Sequence, residues 1–176
     1  MYKERIYRTT LSYQQWTFHI AATENGLCYV SLPNEPLQRL YDWTNKWFKN
    51  AALVSSDDKL KNYTVQLTNY FKRESIHFSI PLELKGTSFQ KTVWKVLQHI
   101  PYGETTTYSQ IARKIRNEKA VRAVGTAIGA NPMPIVIPCH RVIGKNGSLT
   151  GYRGGLEMKK FLLRLESDAS IRKLNC

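Results

Sequence analysis

Alternating apolar and polar residues near the N-terminus predict a two-stranded β-hairpin. Between residues 16 and 22 apolar side chains recur at every second position, which is the period of a half-buried strand. A second strand-like run covers residues 27–32, and Asn25 and Gly26 lie between the two runs. Asn-Gly favours a type I′ turn, because both central residues of that turn need a positive φ. We therefore predict a hairpin that turns at these two residues.

Two segments with helical spacing follow the hairpin. A helix is predicted to open at Glu35-Pro36 and to reach residue 48, and a second helix covers 57–73. Residues 77–82 alternate once more and predict another strand. The N-terminal half is therefore expected to be a small α+β unit without a catalytic constellation, ending at residue 84.

The C-terminal half, residues 85–176, has a mostly helical pattern. Thr87 with Gln90, and Thr107 with Gln110, have the spacing of capping boxes, which mark the first turns of helices. Helices are predicted over 87–100, 107–115, 119–128 and 156–166. Their inward-facing residues are predicted to be Phe89, Val93, Val96, Leu97, Ile100, Ile111, Ala112, Ile115, Val121, Val124, Ile128, Leu156, Phe161, Leu162 and Leu165.

The second and third of these helices have the spacing of a helix-turn-helix. Many pairs of short helices share that spacing, so it indicates a DNA-binding motif only weakly. The composition of the third helix is more informative, because most of its residues are small and Arg122 is the one long side chain near its centre. Because short side chains protrude little from the helix, its backbone could approach the wall of a DNA groove closely.

The most unusual segment is Asn131–Val142, an apolar run with three prolines that ends in Cys139, His140 and Arg141. Prolines bias their neighbours towards extended backbone, so residues 133–137 are predicted to be extended. A free cysteine is most often a small buried hydrophobe, but a thiolate beside a histidine can be a nucleophile. Neighbouring side chains on a strand point to opposite faces, so the cysteine and histidine can couple only through a bend or a bridging water.

Charge distinguishes the two halves of the chain. The 176 residues carry a net charge of +13, of which residues 85–176 supply 16 Lys and Arg against 5 Asp and Glu. A basic half of this size indicates a polyanionic partner, and nucleic acid is the commonest one. The alternative is a basic surface that serves only solubility.

Other whole-chain features point to an ordinary cytoplasmic protein. The three cysteines are widely spaced, which favours a reduced compartment over a disulfide framework, and Cys176 is expected to be an exposed bystander. No apolar run has the length of a membrane span, and no secretion signal is visible. Cys28, His19 and His77 lack the spacing of a metal site, so no zinc and no cofactor is expected.

Five ordered segments resemble the O6-alkylguanine-DNA alkyltransferases, or methylated-DNA–protein-cysteine methyltransferases. They are GTSFQKTVW at 86–94, YGETTTYSQIA at 102–112, VRAVGTAIGANP at 121–132, IPCHRV at 137–142 and GYRGGLEMKKFLLRLE at 151–166. The resemblance implies an RNase H-like N-terminal domain, followed by a mostly helical C-terminal domain with a winged-helix-like helix-turn-helix. It also implies a single-turnover reaction that moves an alkyl group from O6 of guanine, or O4 of thymine, onto the protein.

Catalytic roles follow from the resemblance. Cys139 would accept the alkyl group, and a water would link it to His140, which Glu166 would hold in place. Asn131 would tie the end of the third helix to the cysteine segment. Tyr108 would press on the DNA backbone and donate a hydrogen bond to the base.

DNA and pocket roles follow in the same way. Arg122 would fill the space left by the flipped base. The helix surface around it would contact DNA through Ala123, Thr126 and Ala127. The backbone at Val142 would read the guanine amine, and a loop would close over the lesion with Tyr152, Arg153 and Gly154. Arg153 stands where other members often have a smaller residue, which leaves the preferred alkyl group open. The expected partner is double-stranded DNA with O6-alkylguanine, bound by a monomer.

Three other functions remain open at this point. A DNA-binding helix-turn-helix module would explain the charge and Arg122, but not the Cys-His-Glu set. Alkyltransferase-like proteins bind lesions without repairing them, but they lack the cysteine found here. A cysteine hydrolase would need an oxyanion hole and a water-accessible acyl-enzyme.

Overall fold

The computed structural model describes residues 4–167, so Cys176 lies outside the described part of the chain. The chain divides into two compact units, Met1–Gly86 and Thr87–Cys176. The division therefore falls close to the boundary expected after residue 84. No helix within residues 4–167 is long and apolar enough to cross a membrane.

A four-stranded sheet forms one layer of the N-terminal unit. Its strands are β1 (Arg5–Tyr13), β2 (Trp16–Thr23), β3 (Gly26–Val30) and β4 (Ala52–Ser55), in the spatial order β3-β2-β1-β4. The β1–β2 and β2–β3 pairs are antiparallel, whereas β1 and β4 are parallel. Neither β1 nor β4 was predicted from the sequence. Strand β1 is difficult to predict because the polar Thr9 is one of its two buried residues.

The predicted hairpin is present, but its predicted turn is wrong. Thr23 pairs with Gly26, so Glu24 and Asn25 form the turn, and neither has a positive φ. Gly26 has φ +144° and belongs to β3. A β-carbon there would clash with the carbonyl oxygen of Pro81, so this glycine is required by a close approach of backbone to backbone.

Two helices pack with this sheet. Helix α1 (Gln38–Trp47) begins a few residues later than predicted, and helix α2 (Asp57–Phe71) begins at an Asp predicted to open it. Residues 77–82 are not a strand. The Ser79 amide donates to Oε1 of Gln66 on α2 at 2.8 Å, and only Leu82 forms an isolated bridge, to Leu27. One core cluster of this unit consists of Ile6, Ala21, Cys28, Tyr29, Leu40 and Phe48.

The C-terminal unit is mostly helical, as predicted. Its elements are α3 (Ser88–Gln98), β5 (Thr106–Thr107), α4 (Tyr108–Lys114), α5 (Val121–Gly129), β6 (Val142–Ile143) and α6 (Leu156–Ser167). Both predicted capping boxes are confirmed, at Thr87 and at Thr107. A 3-10 turn, Glu118–Ala120, connects α4 to α5.

Two residues predicted to face inward are exposed. Val121 and Leu156 have exposed fractions of 38% and 49%, and each is the first residue of its helix. No preceding helical turn continues the buried stripe at either position, so the spacing rule fails there. Trp94 and Lys159 are buried, although neither was predicted to be.

The apolar segment before Cys139 is also not extended. The Ile137 amide donates to the Met133 carbonyl at 2.9 Å, which closes a tight turn, and Ile135 has φ +77°. Proline restrains its own φ and the residue before it, and Ile135 has no proline after it. A β-branched residue with positive φ costs about 1–3 kcal/mol, so the surrounding packing must hold this turn in place.

Candidate active site

Asn131 connects the end of α5 to the segment that carries Cys139. Its Nδ2 donates to the Ile137 carbonyl at 2.9 Å, and its Oδ1 accepts from the Met133 amide at 3.0 Å. Both bonds are buried, and together they span the strained turn. These two hydrogen bonds connect the residue after the end of α5 to the segment before Cys139.

Cys139 begins a 3-10 turn, Cys139–Arg141, so the alternation expected of a strand does not apply here. Its amide donates to the Ile137 carbonyl at 2.7 Å. The cysteine is buried with an exposed fraction of 7%, and His140 is completely buried. The bend answers the geometric objection that neighbouring strand residues point to opposite faces.

His140 and Glu166 form a buried hydrogen bond, with His140 Nε2 2.8 Å from Glu166 Oε1. Arg141 also binds this carboxylate, through Nε at 2.9 Å and Nη2 at 2.8 Å. The third guanidinium nitrogen, Nη1, donates to the Ile100 carbonyl at 2.5 Å. No role in the site was predicted for Arg141, because its partner Glu166 lies on α6, far along the chain.

The charges of this cluster are well defined. Burial acts to raise the pKa of Glu166, but hydrogen bonds from His140 and Arg141 outweigh it and hold the pKa well below its usual range. Burial lowers the pKa of His140, although Glu166 acts in the opposite direction. At neutral pH the site therefore contains an ionised Glu166 and a neutral His140. With its Nε2 proton donated to Glu166, the imidazole keeps Nδ1 as an acceptor.

The pKa of the Cys139 thiol is raised above its ordinary value, because burial outweighs the neighbouring groups that favour the thiolate. Burial raises the pKa of the thiol, whereas a hydrogen bond from Asn131 and the charges of Lys159 and Arg153 lower it. Lys159 was not predicted as a site residue, yet its exposed fraction is only 1%. The sequence did contain a signal that Lys159 is buried, because it lies three residues before Leu162 and therefore on the same, buried face of α6.

The predicted pocket loop lies beside this cysteine. Negative charge on Cys139 contributes to raising the pKa of Tyr108 and of Tyr152, although burial is the larger cause for both. The Tyr108 hydroxyl donates to the Thr150 carbonyl at 3.2 Å. The buried Tyr152 hydroxyl has no hydrogen-bond partner among the described residues.

Val142 and Gly154 complete the predicted pocket set. The Val142 carbonyl, expected to read guanine, accepts a hydrogen bond from Lys159 Nζ at 2.6 Å. A carbonyl oxygen has two lone pairs, so it retains capacity for one further donor. Gly154 lies in the loop between Tyr152 and Gly155, and it is half-buried.

The exposed face of α5 contains three of the four DNA-contacting residues that were predicted on this helix. Arg122, Ala123 and Thr126 are exposed on this helix, and Thr126 Oγ1 donates to the Arg122 carbonyl at 3.2 Å. Ala127 differs from the prediction. It is buried, and its carbonyl accepts a hydrogen bond from Trp94 Nε1 on α3 at 2.8 Å. Ala127 therefore packs in the core of this unit, roughly 100° around the helix axis from the exposed Thr126.

Both units match models of one protein family. Residues 6–84 match the 6-O-methylguanine DNA methyltransferase, ribonuclease-like domain, and residues 88–168 match its DNA binding domain. These matches confirm the fold class predicted from the resemblance, an RNase H-like N-terminal domain followed by a mostly helical DNA-binding domain.

Curated relatives and solved structures agree with the family models. The inducible methylated-DNA–protein-cysteine methyltransferase of Bacillus subtilis is 52% identical over 168 residues, which cover 96% of this chain and 94% of the relative. The constitutive protein of the same organism is 55% identical and covers 83% and 92%. A structure of Mycobacterium tuberculosis OGT in complex with DNA has a TM-score of 0.77 at 36% identity, over 93% of this chain and 92% of that one. By the extent of these matches, the chain belongs to the methylated-DNA–protein-cysteine methyltransferase family.

Proposed function

We propose that this protein repairs alkylated DNA directly, by moving the alkyl group from O6 of guanine onto Sγ of Cys139. O4-alkylthymine is the expected second substrate. The observation that carries the proposal is the buried Cys139 thiol beside the hydrogen-bonded set His140, Glu166 and Arg141. This set can accept a proton without exposing the thiol to bulk water.

The atoms and electrons of the transfer step balance without a cofactor. Cys139 loses its proton through a bridging water to Nδ1 of neutral His140, and Glu166 stabilises the imidazolium that forms. The Sγ lone pair then forms a bond to the alkyl carbon while the carbon–O6 bond breaks. The electron pair of that bond passes to guanine, which takes up the proton from the His140 imidazolium through water and remains in the DNA, so that His140 returns to its neutral form.

The thioether product ends the reaction. A thioether has no good leaving group, and nothing in the described site is placed to hydrolyse it. Each molecule should therefore act once. A single chain contributes every residue of the cluster, which supports a monomer. Cys28 and Cys139 are free thiols, which supports a reducing compartment such as the cytoplasm.

DNA would reach this site through the exposed face of α5. A base in a duplex cannot reach a buried thiol unless it rotates out of the stack. Arg122 is the long exposed side chain on that face, and it would occupy the vacated space. Tyr108 would press on the adjacent phosphate, and the backbone of the loop around Tyr152 and Gly154 would hold the extruded base.

Intact mass analysis tests the proposal. Mixing the protein with a duplex that contains one O6-methylguanine should add the mass of one methyl group per molecule, and peptide mapping should locate it on Cys139. The Cys139→Ala variant should bind the same duplex without gaining mass. Repeated turnover, or a methyl group on another residue, would refute the proposal.

A further inference from the structure

Strand β1 of the N-terminal unit is longer than its parallel neighbour β4, so part of one edge of β1 is unpaired. The four residues of β4 pair only with Arg5–Arg8, whereas β1 continues to Tyr13. The last contact between the two segments is the Ser56 amide, which donates to the Arg8 carbonyl at 3.0 Å, and the chain then enters α2. Among the described residues, no strand lies beside residues 9–13 on this side.

Two residues of the unpaired part direct their main-chain groups towards this open edge. Main-chain groups of successive strand residues point alternately to the two sides, and those of Arg8 point towards β4. Thr10 and Ser12 follow at two and four residues, so their amides and carbonyls point the same way, past the end of β4. Both residues are exposed. The edge therefore offers two donors and two acceptors to another extended chain.

Helix α2 forms the other wall of a groove along this edge, which we call the edge groove. Its volume is about 490 Å³. Leu11 of β1 and Val65 of α2 both line it, and Val65 is 45% exposed, so the groove has an apolar spot near its middle. A strand edge beside the flank of a helix is a geometry in which a bound peptide can extend a sheet.

The two ends of the edge groove have opposite charges. Asp57 lies at the end where β4 stops, because Thr9 Oγ1 donates to its Oδ1 at 2.5 Å. Lys72 lies at the other end, directly after Phe71, whose ring stacks on Tyr13 with the centroids 4.7 Å apart. A segment that runs parallel to β1, as β4 does, would therefore place its N-terminal end near the carboxylate and its C-terminal end near the lysine.

We propose that the edge groove binds an extended peptide segment of a partner protein as an added strand parallel to β1, with a basic residue at the N-terminal end of the segment and an acidic residue at its C-terminal end. The unpaired part of β1 has a length of roughly 13 Å, which matches about five residues of the segment. The middle residue of the segment donates its amide to the Thr10 carbonyl and accepts from the Ser12 amide, continuing the ladder of β4.

Side chains and charge favour a peptide over a nucleic acid in this groove. In the continued ladder the first, third and fifth side chains of the segment face α2, so the third contacts Leu11 and Val65 and the outer two approach the charged ends. Residues 1–84 have 10 Lys and Arg against 8 Asp and Glu, so this unit lacks the basic excess typical of a nucleic-acid surface. The N-terminal unit thus recruits a protein, a role that goes beyond alkyl transfer.

Amide NMR spectra recorded during a peptide titration test this role. The probe is the blocked five-residue peptide Lys-Thr-Val-Thr-Glu, and the amide signals of Thr10, Ser12 and Val65 should shift as it is added. With free peptide at ten times its dissociation constant, the amide hydrogens of Thr10 and Ser12 should exchange with solvent roughly tenfold more slowly. The same peptide with an N-methylated valine should cause none of these changes, because it lacks the amide hydrogen that the Thr10 carbonyl accepts.

A peptide with its end residues exchanged, Glu-Thr-Val-Thr-Lys, tests the direction of binding. It should bind roughly two- to fivefold more weakly, the range expected for exposed ionic contacts. Lys72→Glu should abolish or reverse this preference. Lys61→Glu is the matched control, because Lys61 is exposed on the same helix but does not line the edge groove, and this variant should keep the preference.

Three outcomes would overturn the proposal. The first is an absence of shifts at Thr10 and Ser12 with peptide at about 5 mM, since binding weaker than this is too weak to be specific. The second is equal binding of both peptides to the unmodified protein. The third is a set of shifts at the same amides that grows with protein concentration without peptide, which would identify a second copy of this chain as the occupant. The titration contains no DNA, so its outcome is independent of the proposed transfer reaction.

Discussion

The two described free cysteines lie in different units and show that burial alone does not make a thiol a site. Cys28 lies in the N-terminal core cluster, where burial is the main cause of a pKa raised far above the usual range of a thiol. Burial also raises the pKa of Cys139, but Asn131, Lys159 and Arg153 oppose it. The difference is the set of donors and cations around the sulfur, and only Cys139 has them together with a neighbouring histidine.

The largest expected effect is a difference in thiol reactivity between these cysteines. With iodoacetamide at neutral pH, the folded protein should be labelled at least roughly tenfold faster at Cys139 than at Cys28, since the thiolate is the reacting species. Labelling of the intact protein, followed by peptide mass analysis over time, measures both rates. In denaturant the two rates should become similar. Comparable labelling rates in the folded protein would show that the two thiols do not differ in reactivity.

A second comparison concerns two ion pairs in the C-terminal unit. Glu166→Gln leaves the buried guanidinium of Arg141 without its carboxylate, and such a loss costs about 3–5 kcal/mol of unfolding free energy. Glu118 also pairs with an arginine, Arg113, at 3.7 Å, but the two side chains are 73% and 71% exposed. Glu118→Gln should therefore cost less than about 1 kcal/mol. Urea unfolding of both variants checks the contrast, which equal losses would contradict.

The smallest expected effect concerns pH, and it compares His140 with His19 on the N-terminal sheet. Both histidines have a pKa lowered mainly by burial, from an ordinary value of 6.5. Below pH 6.5 the unfolded chain binds protons that the folded chain does not, so folding stability should fall as the pH decreases. The lowered pKa of Glu166 acts in the same direction at more acidic pH. Transfer should also slow in acid, because a protonated His140 cannot accept the thiol proton.

Thermal unfolding and single-turnover transfer between pH 7.5 and 5 measure both trends. In His140→Gln the stability change between pH 6.5 and 5 should become smaller, and transfer should be strongly impaired at every pH. In His19→Gln the transfer profile should match that of the unmodified protein, because the ring is only partly buried and lies outside the site. An acid-independent transfer rate would exclude His140 as the proton acceptor.

Local signals in the sequence predicted most of the C-terminal helices. A capping box involves residues three positions apart, and both predicted boxes are present at the first turns of α3 and α4. The five segments of the family resemblance identified Cys139, His140 and Glu166, and the structure joins the last two by a buried hydrogen bond. The predictions that failed depended on distant partners. Gly26 is needed because Pro81 approaches it, and the chain at Ser79 is held by a side chain of α2.

The sequence by itself determined the family of this protein, the candidate residues Cys139, His140 and Glu166 in the segments that it shares with that family, and its basic C-terminal half. Only the tertiary structure decided which neighbours act on that cysteine. Arg141 reaches Glu166 across 25 positions of the chain, and Lys159 reaches the Val142 carbonyl across 17. Pattern rules describe contacts within a few residues, whereas burial and charge at a site depend on segments that only folding brings together.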